Sequence, residues 1–164
     1  MKVFTLLALC FFVLLSSCGA DYIVDQKKKF ENNQWAYSDS LSCSIDISDT
    51  KKLYSLYLDV EHLTEYAYRN MYIRLHSIFP DGKRVTERIS LELMNKIGQW
   101  QGDCSADECD FRLPINEGTH FGQTGKHTFV VEQFMRENPL AGVQSMAFRI
   151  EDTGQVRKEG AREK

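Results

Sequence analysis

The sequence has no apolar run long enough to cross a bilayer as a helix, which takes roughly 20 residues. Its longest apolar run, Val3–Leu15, is much shorter than that and follows a single basic residue, Lys2. A run of this kind at the N-terminus is typical of the core of a signal peptide. We therefore expect an exported protein whose leader is removed, and we do not expect a membrane-spanning helix.

A strong positive charge is also absent. The net charge is −3, and no basic stripe accompanies the aromatic residues. Proteins that bind nucleic acid carry such a stripe because they neutralise phosphates. We therefore expect no nucleic-acid partner.

The motifs that commonly carry chemistry are missing as well. The sequence contains no G-x-S-x-G, no H-E-x-x-H, no P-loop and no G-x-G-x-x-G. The four histidines, none of which has a second ligand at metal spacing, are expected on the surface; they are His62, His76, His120 and His127. The sequence predicts a protein that is not an enzyme, with no catalytic residue, no cofactor and no metal.

The sequence has five cysteines, of which Cys10 lies within the apolar run and Cys18 stands directly behind it in Leu15-Ser16-Ser17-Cys18. This tetrapeptide resembles the lipobox of bacterial lipoproteins, in which the cysteine is lipidated and becomes the first residue of the mature chain. We therefore predict a lipoprotein signal peptide over residues 1–17 and a lipid anchor on Cys18. The alternative is an ordinary signal peptide cut near Ala20, which leaves Cys18 as a spare thiol.

Three further cysteines would remain in an exported compartment, where disulfides form. Cys104 and Cys109 lie close together in the acidic stretch GDCSADECDF, which favours a disulfide between them. The four carboxylates of that stretch leave open a site for a hard cation such as Ca²⁺. Cys43 shares the parity of the apolar residues in LSCSIDIS, so we predict that it is buried as a free thiol.

The dominant pattern in the rest of the chain is alternation of apolar and polar residues with a period of two. SLSCSIDIS, LYSLYLDVEH and SMAFRIE alternate in this way, and FPDGK supplies turn chemistry between two further strands. In the second of those strands, VTERISLEL, we expect Val85 and Leu91 to point inward. The sequence predicts an all-β fold, a single antiparallel β-sandwich domain.

The chain ends lack this pattern, which sets the expected domain boundaries. We assign residues 18–32 to the lipidated cysteine and a polar tether, 33–152 to the sandwich and 153–164 to a flexible polar tail. Lys27–Lys29 in the tether could rest on anionic lipid headgroups or could simply be solvated. VEQFMRENPL, which Pro139 ends, is compatible with one helical turn or with a bent strand end.

The stretch GKHTFVVEQFMRENPLAGVQSMAFRIE resembles the end of the gliding-motility lipoprotein family GldH. NNQW, FPDGK and GQWQG resemble other segments of that family in the same order, whereas DCSADECD departs from its pattern. The resemblance implies an envelope lipoprotein that is needed for gliding and associated with type IX secretion. It implies a membrane contact through the lipid anchor, on the inner membrane facing the periplasm or on the outer membrane. It also implies protein partners in the gliding and secretion machinery, without a catalytic residue or cofactor.

Within that stretch, Glu132, Arg136 and Asn138 are the candidate functional residues. Arg136 could be an internal tie that pairs with Glu132 or with loop carbonyls, or it could project toward a partner. A different functional class stays open because Tyr57 and Tyr72 fall on polar strand faces, where exposed rings could stack on sugars. The alternative to a scaffold is thus a glycan- or ligand-binding envelope lipoprotein.

Overall fold

Antiparallel strand pairing organises the part of the chain that the computed structural model describes, residues 22–158. The strands are β1 (Tyr22–Lys29), β2 (Gln34–Trp35), β3 (Leu41–Ile47), β4 (Lys52–Leu63), β5 (Asn70–Ile78), β6 (Arg84–Glu92), β7 (Asp103–Cys104), β8 (Glu108–Thr119), β9 (Gly125–Gln133), β10 (Leu140–Ala141) and β11 (Val143–Val156). One 3₁₀ turn, Glu31–Asn33, lies between β1 and β2. No helix within residues 22–158 is long and apolar enough to cross a membrane.

The strands form two larger sheets and one small pair. The first sheet has the order β1-β11-β4-β8-β7, the second has the order β3-β9-β5-β6, and β10 pairs with β2. All these pairings are antiparallel. The prediction of an all-β, sandwich-like antiparallel domain is confirmed.

The core lies between the two larger sheets, and the period-two pattern predicted most of it. Along β3, buried and exposed residues alternate without interruption, and Cys43 is among the buried ones. Phe148 of β11 and Phe129 of β9 stack with ring centroids 4.8 Å apart, which joins the first sheet to the second. Two facing apolar surfaces of this kind remove each other from water, and that burial is the main stabilising term for a sandwich.

The expected domain boundaries differ from the structure at both ends. Residues 22–29 of the predicted tether form β1, which pairs with β11 from Tyr22 to Lys29. Residues 153–156 of the predicted tail extend β11 to Val156. β1 is rich in polar residues because it lies at the edge of the first sheet, where a strand needs backbone partners on one side only and often carries charged side chains. Residues 153–156 of β11 lie beyond its pairing with β1, which starts at Tyr22 and Glu151. The alternation pattern therefore did not reveal them.

Two local expectations are also corrected. Val85 was expected inward, but its side chain is 37% exposed, because β6 is an edge strand whose first five residues all face solvent. VEQFMRENPL contains no helical turn: β9 ends at Gln133, and an irregular turn leads to β10 at Leu140. The alternative of a bent strand end describes this segment better.

Antiparallel pairing gives the sandwich two distinct ends, which we name the tether end and the distal end. The tether end contains the start of β1 at Tyr22, the end of β3 at Ile47 and the start of β4 at Lys52. The distal end contains the end of β1 at Lys29, the start of β3 at Leu41 and the end of β4 at Leu63. Strand β4 has 12 residues, so at about 3.3 Å per residue the two ends lie roughly 35 Å apart.

Gly102 provides a test of how tightly the β6–β8 connection is packed. Its φ is +97°, and a Cβ atom there would lie 2.1 Å from the carbonyl oxygen of Asp110. We expect Gly102→Ala to lower the free energy of unfolding by about 3 kcal/mol, since both backbone strain and overpacking oppose it. The control is Gly118→Ala, which also has positive φ but has no atom within 4 Å of the added Cβ. Gly118→Ala should lower the free energy of unfolding by about 1 kcal/mol. Equal losses in urea denaturation would contradict this packing argument.

Candidate functional site

A groove at the distal end is lined mainly by aromatic side chains, and we name it the distal groove. It has a volume of about 800 Å³ and is formed by residues from three segments of the chain: Tyr37, Tyr68, Asn70, Tyr72, Phe134, Met135 and Arg136. Three of its tyrosines are well exposed, with 50% for Tyr37, 39% for Tyr68 and 46% for Tyr72. Large exposed rings that lie together are uncommon on a soluble domain and mark a surface with a binding role.

Gln133, the last residue of β9, organises the segment that forms one wall of the groove. Its side chain is almost fully buried, with 4% exposed. The Oε1 atom accepts a hydrogen bond from the backbone N–H of Met135 at 2.8 Å, and Nε2 donates to the carbonyl of Glu137 at 2.9 Å. The side chain thus replaces the strand partners that the backbone loses after β9.

The groove tyrosines are held in place by hydrogen bonds to the same segment. The hydroxyl of Tyr37 donates to the carbonyl of Met135 at 2.7 Å, and the hydroxyl of Tyr68 donates to Oε2 of Glu137 at 2.9 Å. The bond to Glu137 and the charge of that carboxylate raise the pKa of Tyr68. Both rings are therefore fixed before any ligand arrives, which reduces the entropy lost on binding.

The candidate residues Glu132, Arg136 and Asn138 do not form one cluster. Arg136 is exposed in the wall of the groove, and no hydrogen bond or ion pair joins its side chain to any residue within 22–158. Of the two interpretations given for Arg136, the structure shows no internal tie among the described residues, and the side chain is exposed instead. Asn138 has the structural role, since its Oδ1 accepts from the backbone N–H of Tyr37 at 2.8 Å.

Glu132 is paired with a histidine, which also corrects the expectation that the histidines lie on the surface. His76 is 5% exposed; its Nε2 lies 3.0 Å from Glu132 Oε2, and its Nδ1 lies 2.8 Å from Thr86 Oγ1. His62 and His127 are buried as well, with 0% and 2% exposed. Burial lowers the pKa of His62, because it disfavours the charged form. Strand parity alone did not reveal that these rings fill gaps among aromatic neighbours.

A second guanidinium group contacts one of the aromatic rings that line the groove. Besides Arg136, Arg74 of β5 places its guanidinium carbon 3.8 Å from the centre of the Phe134 ring. This cation–π contact holds Phe134 against the sheet. Arg74 was not singled out by the sequence, because its role depends on a ring that lies 60 positions away in the chain and next to it in the sheet.

A second, smaller cavity of about 350 Å³ lies on the outer face of the first sheet. Here Asp59 of β4 accepts two hydrogen bonds from Arg112, from Nε and Nη2, each at 2.7 Å. Arg149 of β11 also donates to Asp59, and its Nε donates to Asp25 of β1 at 2.9 Å. The hydroxyl of Tyr22 accepts from Arg112 at 2.7 Å. Charges that satisfy one another across four strands indicate a structural network.

The same face carries a pair of neighbouring carboxylates, Glu61 and Asp110, which lie opposite each other on β4 and β8. Burial opposes ionisation of Glu61, but hydrogen bonds from Lys27 and Ser145 outweigh it and lower its pKa. Burial and the charge of Glu61 raise the pKa of Asp110. Lys27, which was expected in a solvated or headgroup-bound tether, is instead an ion-pair partner of this strand face.

Asp59 gives a direct test of the network. Asp59→Asn keeps the shape of the side chain but removes the charge that two arginines share, so we expect a loss of about 2–3 kcal/mol in the free energy of unfolding. Asp46→Asn, on the exposed face of β3, is the matched control and should change stability by less than about 0.5 kcal/mol. Urea denaturation at neutral pH measures both. An Asp59→Asn protein as stable as the control would show that the arginines do not depend on this carboxylate.

The acidic cysteine loop closes on itself in the structure. Cys104 and Cys109 are joined by a disulfide with an S–S distance of 2.06 Å, and Cys43 is a buried free thiol. Within residues 22–158, no group of three or more His, Cys, Asp and Glu side chains is arranged to hold a metal ion. A backbone hydrogen bond joins this loop to the residue after β4, since the N–H of Thr64 donates to the carbonyl of Asp107 at 3.0 Å.

The three cysteines should differ sharply in reactivity. Burial raises the pKa of Cys43 to about 12, so it should stay unmodified by iodoacetamide in the native protein at pH 8 and react once the chain is unfolded. Non-reducing peptide mapping should find Cys104 joined to Cys109. Reduction of this disulfide should lower the free energy of unfolding by only about 2 kcal/mol, because the loop that it closes is short. A peptide in which Cys43 is joined to either of the other two would overturn this assignment.

The tryptophans belong to the interior and not to a sugar-binding surface. Trp35 is fully buried, stacks on Phe30 at 4.9 Å and donates from Nε1 to the carbonyl of Asp39 at 2.8 Å. Trp100 packs against the buried His62, with ring centroids 4.7 Å apart. Tyr57, one of the two tyrosines that could have stacked on a sugar, lies beneath Arg112. The guanidinium carbon of Arg112 is 5.1 Å from the centre of the Tyr57 ring. Of the two tyrosines singled out on polar faces, Tyr72 is the one that lines the distal groove.

Comparison with known families identifies the family of this chain. A family model described as GldH lipoprotein matches residues 22–150, which include nearly every strand and the whole distal groove. This chain belongs to the GldH lipoprotein family. The resemblance noted in the sequence is thereby confirmed, and with it the assignment to the gliding-motility lipoproteins.

Two curated relatives support this assignment. The gliding motility lipoprotein GldH homolog of Christiangramia forsetii is 25% identical over 146 residues, which cover 85% of this chain and 89% of that protein. The gliding motility lipoprotein GldH of Flavobacterium johnsoniae is 23% identical over 146 residues, which cover 85% of this chain and 90% of that protein.

Among solved structures, Xyl-CBM35 in complex with a disaccharide containing glucuronic acid aligns with 89% of this chain and 98% of that chain. The sequence identity is 14% and the TM-score is 0.34. A likeness of this size supports no inference about function.

Proposed function

We propose that this protein is a non-enzymatic accessory or scaffold component of the gliding-motility machinery associated with type IX secretion. The observation that supports this most is the family match over residues 22–150, together with relatives that are named gliding motility lipoproteins. The second support is the character of the two cavities. One is filled by charges that neutralise one another, and the other is an aromatic groove suited to binding.

The proposal includes a lipid anchor on Cys18 in an envelope membrane. Cys18 lies outside the described residues, but it precedes Tyr22, the first residue of β1, by only four positions. Four residues of extended chain reach at most about 14 Å. A lipid on Cys18 would therefore hold the tether end close to the headgroups and leave the distal groove roughly 35 Å further out. An anchor with several acyl chains keeps a protein on its membrane, whereas a single chain binds only marginally.

A glycan-binding lipoprotein is the second candidate function, and the exposed tyrosines of the distal groove favour it. Sugar rings stack on aromatic faces, and Tyr37, Tyr68 and Tyr72 present such faces to solvent. Both candidates use the same groove and the same anchor. They differ in what a strain without the protein loses, which is motility or secretion in one case and growth on a polysaccharide in the other.

The test is a gene deletion complemented with three versions of the protein: wild type, Cys18→Ala and Cys43→Ala. Deletion should abolish colony spreading or impair protein secretion, and wild type should restore both. A clickable palmitate analogue should label wild type and Cys43→Ala but not Cys18→Ala, and Cys18→Ala should fail to restore the phenotype. Cys43→Ala is the matched cysteine control, since it removes a buried thiol at a cost of about 1 kcal/mol and leaves the anchor intact.

Two outcomes would contradict the proposal. Equal labelling of all three proteins would show that Cys18 is not the anchor. A deletion strain that spreads and secretes normally but no longer grows on one polysaccharide would support the glycan-binding function in its place.

A further inference from the structure

The distal groove has the composition of a protein-binding surface. Tyrosine, arginine, methionine and phenylalanine are enriched at protein interfaces, and tyrosine and arginine recur among the residues that dominate binding energy. Apart from Asn70, the residues that line the groove are of these four types. Its volume of about 800 Å³ is large enough for several side chains of a partner.

The hydrogen-bonding groups of the groove are largely used within the protein. Tyr37 and Tyr68 donate to Met135 and Glu137, and the Nδ2 atom of Asn70 donates to Ser90 Oγ at 3.1 Å. A saccharide presents many hydroxyls and requires several free donors and acceptors around an aromatic face. The groove instead combines apolar walls with few free polar groups, which suits the side chains of a polypeptide.

The charge around the groove identifies the kind of segment that fits it. Arg136 has no carboxylate partner within residues 22–158, and Arg74 presents its charge over the Phe134 ring. Neither neighbouring acidic side chain forms an ion pair with Arg136 within residues 22–158: Glu137, which keeps its negative charge, accepts from Tyr68, and Glu132 is paired with His76. An approaching carboxylate would therefore find the guanidinium group of Arg136 free to bind it, and guanidinium groups bind carboxylates in a planar, often bidentate geometry.

We infer that the distal groove is a docking surface for a short acidic segment of a partner protein, in which a carboxylate side chain flanks an apolar or aromatic one. The carboxylate pairs with Arg136, and the apolar side chain packs among Tyr37, Tyr72 and Met135. This inference rests on the proposed function, since it describes how the anchored domain would hold a component of the machinery. The position of the groove at the end opposite the tether leaves it open to such a partner.

The experiment uses the full-length protein in detergent as bait for a displayed library of random dodecapeptides. Enriched peptides should carry Asp or Glu within three positions of an aromatic or aliphatic residue. The best peptide, made synthetically with a fluorophore, should bind in a polarisation assay, and its Asp/Glu→Asn/Gln version should bind about tenfold more weakly or not at all.

Protein variants then locate the binding site. Arg136→Glu and Tyr72→Ala should each weaken binding of the acidic peptide about tenfold or more. The matched control is Arg84→Glu, an exposed arginine at the start of β6 near the tether end of the same sheet, which should bind as wild type does. Circular dichroism and thermal melts of Arg136→Glu should match wild type, because the side chain is exposed.

Each other result overturns the inference. A library without enrichment of acidic peptides, or peptide binding that Arg136→Glu leaves unchanged, would exclude this docking mode. The groove would be a glycan site if the protein bound neutral gluco-oligosaccharides, or the anionic polymer polygalacturonate, and if Tyr72→Ala abolished that binding. None of these outcomes depends on colony spreading, so the docking surface can fail while the role in gliding stands.

Discussion

The pairing of β11 with β1 on one side and with β4 on the other is the interaction on which the rest of the structure depends. β11 supplies three of the large, fully buried side chains of the first sheet, Met146, Phe148 and Ile150, and Phe148 contacts the second sheet. Its Arg149 also joins β1 to β4 through Asp25 and Asp59. Because β11 fixes β1, it also fixes which end of the sandwich follows Cys18. The separation of the tether end from the distal groove is therefore a consequence of strand order.

The two cavities show how similar residue types serve different purposes. On the outer face of the first sheet, Arg112 and Arg149 both donate to Asp59, so their charges are paired within the domain. In the distal groove, Arg136 has no ion-pair partner within residues 22–158, although tyrosines line this surface as well. Charges satisfied inside a protein contribute to its stability, whereas charges without a partner remain available to a ligand. The balance of charge and not the aromatic content distinguishes the two surfaces.

The sequence predicted the sheet interior well because strands with one buried face must alternate. Leu41, Cys43 and Ile45 on β3 and the FPDGK hairpin followed directly from that rule. The alternation rule failed at β1, which is polar because it lies at an edge. It also failed at His62 and His127, whose rings are buried among aromatic neighbours. Arg136 was singled out by the family resemblance and not by any physical pattern. Whether it faces inward or outward depends on how Gln133 ends β9, which no local period encodes.

The junction between β1 and the short segment after Cys18 has a mechanical consequence. If a lipid on Cys18 holds the tether end and a partner pulls at the distal end, the force runs along the axis of β1. Antiparallel strands are joined by hydrogen bonds perpendicular to their length. Such a pull therefore loads the β1–β11 ladder in shear, so that its hydrogen bonds must yield together and cannot open one after another. The edge strand that looks like a loose tether in the sequence is thus in the orientation that best transmits tension between a membrane and a moving partner.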